Sequence, residues 1–141
     1  MINRKAFVVL GLALASLLVL SDAHASEIDQ ATKLTFSQSV QIPGQVLPAG
    51  TYWFVVPTPD VVQIFSSDRS SLYATLLTNS AELLKPAEKS TVIFADRKSM
   101  QPEAIVNWFY PGRTIGHEFL YSKQDRKEIA QAKQRTVAAG D

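Results

Sequence analysis

His117 and Glu118 set an imidazole beside a carboxylate, the adjacent pair in this 141-residue sequence best suited by type to proton transfer or metal binding. They fall in the run His117 to Tyr121 (HEFLY), which has the composition of a β-strand, and successive strand side chains point to opposite faces. The two groups therefore cannot easily share one proton or one metal ion. Zinc would need further ligands from elsewhere, and the sequence contains no His-x-x-x-His or comparable spacing; its other histidine is His24. Glycoside hydrolysis asks only for two acids flanking a sugar, which Glu118 with Asp96 or Glu103 would supply, but any β-domain this rich in acids offers such pairs. Nucleophilic catalysis needs an activated hydroxyl or thiol. There is no cysteine and no Gly-x-Ser-x-Gly elbow, and no Gly-rich phosphate loop occurs. The residues thus assign no catalytic group, no metal site and no cofactor.

The segment WFYPGR, Trp108 to Arg113, suits binding better than catalysis, because aromatic rings and a guanidinium beside a turn can stack on a sugar or a peptide. Trp108, Tyr110, Arg113 and His117 are accordingly the candidate binding residues. The competing expectation puts Trp108 and Tyr110 in the core on one face of a strand and Phe109 in a second layer. A binding role requires Trp108 or Tyr110 to be exposed. Trp53, in a strongly β-prone run, is expected in the core, and Arg97-Lys98 and Arg126-Lys127 are expected to be solvated surface charges.

These side chains need a scaffold, and the hydrophobic pattern describes one. Leu34 and Phe36 alternate with polar neighbours in the period-two manner of a half-buried strand. IPGQVLPAG (Ile42 to Gly50) turns and re-enters; TYWFVV (Thr51 to Val56) puts Tyr52, Phe54 and Val56 on one face of a central strand. Val61 to Ser66 and Leu72 to Thr78 form a hairpin around Ser67 to Ser70. Thr91 to Asp96 is a further strand, while Asn79 to Leu84 is open between strand extension and helical turn. Pro102 to Ile105 could start a short helix. Ser122, three residues before Asp125, caps a helix expected from Lys123 to Gln134, with a thin apolar face of Ile129, Ala132 and Val137. The expectation is a mainly β fold, a small antiparallel sandwich or barrel over residues 26–122, followed by a C-terminal helix and tail over 123–141.

The first 25 residues have a different character. Arg4 and Lys5 precede the fifteen-residue apolar or small-residue run Ala6 to Leu20, about 22 Å long as a helix and short against a hydrocarbon core of roughly 30 Å. Ser21 and Asp22 break it, and Ala23-His24-Ala25 supplies the small-x-small pattern of a signal-peptidase site. A helical signal peptide cleaved after Ala25 is expected, and with it a periplasmic or extracellular protein that meets the membrane only through that segment. Taking Arg4, Lys5 and Asp22 from the 14 basic and 13 acidic side chains leaves twelve of each, so the mature part shows no nucleic-acid footprint.

The segments TKLTFSQSVQIPGQVLPAGTYWF (Thr32 to Phe54), VVQIFSSD (Val61 to Asp68), STVIFADR (Ser90 to Arg97) and AIVNWFYPGRTIGHEFLY (Ala104 to Tyr121) resemble, in this order, a group of uncharacterised exported bacterial proteins. These share a "TF…PG.VLPAGTY.F" opening, a "VQIF" strand and a "WFYPG…G.EF.Y" ending. The resemblance implies a compact β-rich domain after a signal peptide and brings no activity or site residues. The LPAGTY hairpin is similar, more loosely, to those of prealbumin-like and carboxypeptidase-regulatory-like accessory modules. Together these features lead to an expected non-enzymatic binding or structural module with a protein, peptide or glycan partner. A barrel holding a small apolar ligand among Phe54, Ile64 and Phe94 is the first alternative, and a two-carboxylate glycan hydrolase the second.

Overall fold

The computed structural model describes residues 30–98 and 100–138, so the expected signal peptide lies outside the described residues. The described residues are mainly β with one short helix. In order, its elements are β1 (Gln30–Phe36), β2 (Val40–Ile42), β3 (Gln45–Leu47), β4 (Gly50–Thr58), β5 (Val61–Ser66) and β6 (Leu72–Glu82). Then come β7 (Thr91–Ala95), β8 (Ala104–Phe109), β9 (Ile115–Phe119), α1 (Lys123–Gln131) and β10 (Gln134–Ala138).

Alternation decides the faces. Leu34 and Phe36 on β1, Tyr52, Phe54 and Val56 on β4, and Val62 and Ile64 on β5 are all buried in one core. Trp53, by contrast, is half-buried on the outer face. Its indole N–H donates to the Ser67 carbonyl (2.8 Å), with the Arg69 guanidinium 4.2 Å and the Lys33 ammonium 5.6 Å from the ring centroid. The expectation of a core Trp53 fails because its ring lies against these cations, although Val55 on the same face of β4 is buried. Arg69 takes a positive φ of 62° in the β5–β6 turn, where the Asp68 carboxylate accepts from the hydroxyl and amide of Ser70 and from the Ser66 hydroxyl. Those bonds, the Ser70 hydroxyl foremost, hold Asp68 down to a pKa of about 2.

The strands join in the order β1-β4-β5-β6-β9-β8-β2-β3, with β7 on β8 and β10 on β7. β6 is the hinge of this arrangement: Leu72 to Leu77 pair with β5, and Thr78 to Glu82 pair with β9. The open Asn79–Leu84 segment thus resolves as strand extension as far as Glu82. The sheet is mixed rather than purely antiparallel, since β2 meets β8 in parallel at Gln41 and Ala104, where the Gln41 amide donates to Glu103. No short helix starts at Pro102, and Ala104–Phe109 is strand throughout.

The C-terminal segment departs furthest from expectation. The Ser122 side chain caps α1 by accepting from the Asp125 amide, but the helix stops at Gln131 and Ala132 turns extended. Gln134–Ala138 then forms β10, with Val137 opposite Val92 and Thr136 opposite Ile93. Val137 is therefore a strand residue packed on the core rather than part of the helical face, and residues 123–141 are not simply helix and tail. Arg97 is not a solvated charge either. Its side chain, 9% exposed, bonds Glu128 through Nε and Nη2, both at 3.1 Å, and Asp125 at 3.5 Å, clasping α1.

Candidate functional site

Built from its residues, the expected site is divided between the core and the surface. On β8, Trp108 faces the core at 0% exposure and Phe109, also buried, faces the other way. Phe54 meets the Trp108 ring edge-on at 5.6 Å, and His117 from β9 stacks on it at 5.6 Å and 24°. Trp108 therefore presents no face to a ligand, and its indole N–H has no acceptor among the described residues. His117 is 9% exposed and shares a 3.0 Å hydrogen bond between Nδ1 and the Thr78 hydroxyl. Burial pushes its pKa down, and the Asp60 carboxylate opposes that push. Tyr110 is partly buried against the core, and Arg113 is exposed.

Beyond Tyr110 the chain makes a tight turn whose Arg113 amide donates back to the Tyr110 carbonyl. Pro111 pre-sets the first turn position and Gly112, at φ 79°, takes the left-handed second one, the pattern of a type II turn. Two bonds, Gly112 amide to Ala87 carbonyl and Ala87 amide to Arg113 carbonyl, pin the turn to the β6–β7 connection. Of the four candidates, only Tyr110 and Arg113 keep any accessible surface of consequence, and the segment chiefly closes the fold.

The acids divide in the same way. Glu118 is exposed on the opposite face of β9 from His117. Asp96 and Glu103 share a shallow concavity with Lys133, Gln134 and Arg135, and Arg135 binds Glu103 through two bonds of 2.6 and 3.2 Å. Glu118 is not among the residues of that concavity. Phe54, proposed to line an apolar cavity, instead spends its ring on Phe36, Trp108 and Phe119. No helix among the described residues is long and apolar enough to cross a membrane.

What the structure does assemble is a groove between the end of β1 and β10. It encloses about 430 Å³ between Phe36, the Ser37-Gln38-Ser39 connection and Val40 on one side and Phe94, Arg135 and Val137 on the other. A narrow crevice continues inward along Leu34 and Val92. The Arg135 guanidinium rides 5.1 Å above the Phe94 ring while its far side holds Glu103, so it forms a fixed polar wall over an apolar floor. Its residues come from four stretches far apart in sequence. Its signal in the sequence is confined to the polar Ser37–Ser39 interruption after β1.

Comparisons with protein-family models, curated proteins and solved structures find no match. The likeness to exported β-rich proteins therefore rests on the quoted segments alone.

Proposed function

We propose that the chain is an exported, non-enzymatic binding module whose ligand seats in the β1–β10 groove. The observation that carries this reading is the groove's construction: an apolar floor of Phe36, Phe94 and Val137 under a rim of Ser37, Gln38, Ser39 and Arg135. Binding sites combine apolar area with a few placed polar groups in this way. The export half rests on the signal-peptide pattern of Met1 to Ala25, with the mature domain acting in the periplasm or outside the cell. The sheet halves meeting at β6, with Phe54 against Trp108 and Phe36 against Phe94 across the core, favour a half-open barrel or sandwich as its finer description.

The reading is tested by offering the mature protein to a phage-displayed library of short peptides and to a glycan array. Retention of one ligand class is expected, weakened at least tenfold by Val137→Asp on the floor and by Ser39→Trp on the rim. Retention unchanged by both variants would place the binding surface elsewhere and end the groove reading.

A further inference from the structure

The two walls of the groove are both edge strands. Among the described residues β1 pairs only with β4, and β10 only with β7, so each turns one row of main-chain N–H and C=O groups away from its partner. Side chains from both strands line the gap, Leu34 and Phe36 on β1 and Arg135 and Val137 on β10. Near the other end of β1 the Thr32 and Ser90 hydroxyls approach to 3.4 Å, which leaves the groove open toward Ser37–Ser39. A gap bounded by two unpaired edges over an apolar floor has the chemistry of a missing strand.

We infer that the ligand of this groove is an extended polypeptide segment of another protein, which adds as a strand between β1 and β10. The inference rests on the binding-module reading and specifies its ligand. A strand seated between two edges must be unpaired on both of its own. Every described strand of this chain already has a neighbour, so a second copy cannot supply one from its folded domain. Lys33 on β1 also sets a charge beside that edge, which disfavours edge-to-edge pairing of two copies there. The occupant is a terminal or linker segment of about five residues, spanning roughly 17 Å, with aliphatic or β-branched side chains at alternate positions to meet Phe36 and Val137. Main-chain bonds supply most of the attraction, and the alternate side chains supply the choice of partner.

The test uses a fluorescein-labelled octapeptide of alternating threonine and valine with a lysine at each end, beside the same peptide N-methylated at alternate amides. Fluorescence anisotropy is expected to show the parent binding to the mature protein and the methylated form at least tenfold weaker, because methylation deletes donors and leaves the side chains. Hydrogen exchange in the complex is expected to slow about tenfold over residues 33–37 and 134–138. Equal binding of the two peptides, protection confined to other strands, or no binding of the parent at about 1 mM would overturn strand addition. Val137→Asp and Ser39→Trp separate the two levels. If both weaken the parent while methylation has no effect, the groove stands and strand addition falls; if neither weakens it, the groove itself is wrong. Ser39 is exposed, so its variant holds the test open should Val137→Asp unfold the protein.

Discussion

His117 shows how a reactive side chain is put to structural use. Stacked on Trp108 and bonded to Thr78, it is kept neutral by burial, with its pKa below the ordinary histidine value. The sign of the consequence follows from linkage. Below about pH 6.5 the unfolded chain takes up a proton that the folded chain refuses, so stability falls as pH drops from there toward the depressed folded pKa. Above that window the group contributes no slope. Denaturant midpoints measured between pH 7.5 and pH 5 should fall in the wild type, and His117→Gln should flatten that part of the decline while lowering stability throughout. An unchanged slope in the variant would assign the decline to other groups. Gly116, the preceding residue, is fixed by space: a methyl there would collide with the Trp108 carbonyl oxygen and the Phe109 ring. Because a backbone atom cannot swing aside, Gly116→Ala should cost about 1–3 kcal/mol, read as a lowered urea midpoint with an unchanged m-value. The second glycine of the WFYPG…G.EF.Y pattern thus has a packing reason.

At the scale of elements, Tyr121 does for the β2–β3 hairpin what a longer ladder would otherwise do. β2 meets β8 through a single parallel pair, and just beside it the buried Tyr121 hydroxyl is shared between the carbonyls of Ile105 (2.6 Å) and Gln41 (3.0 Å). Tyr121→Phe keeps the ring and strands both acceptors. It should cost about 1–2 kcal/mol and speed amide exchange in β2 and β3 before the rest of the sheet, and uniform loss across all strands would contradict that local role. Strands such as β4 and β5 were legible because alternation in a half-buried strand is a local signal, as Tyr52, Phe54 and Val56 show. β10 was not, since Ile129, Ala132 and Val137 continue a plausible helical face and only pairing with β7, some forty residues earlier, makes Gln134–Ala138 a strand. The same physics hid the groove and misplaced the aromatics. A period of two says that Trp108 and Phe109 face apart, but which face meets water depends on strands elsewhere in the chain. Trp53 and Trp108 both belong to β-prone runs, yet one looks out at Arg69 and the other in at Phe54.

For the whole molecule, the address proposed from Met1 to Ala25 makes a prediction that the fold constrains. The first described strand begins at Gln30, so a cut after Ala25 spares every described residue and falls before β1. A peptidase takes its substrate extended and unpaired, and a cut inside β1 would instead remove one wall of the groove. Such a cut would also remove Arg4, Lys5, Asp22 and the apolar run, leaving equal numbers of acidic and basic side chains. Protein recovered from the periplasm or medium of an expressing bacterium should therefore have the intact mass of a chain starting at Ser26. Ala25→Leu, which puts a bulky side chain where the peptidase pocket admits only small ones, should leave the product membrane-associated and heavier by the 25-residue segment. A wild-type product that retains Met1 would show that the segment is kept, and an Ala25→Leu product still starting at Ser26 would show that processing does not depend on the small residue before the cut.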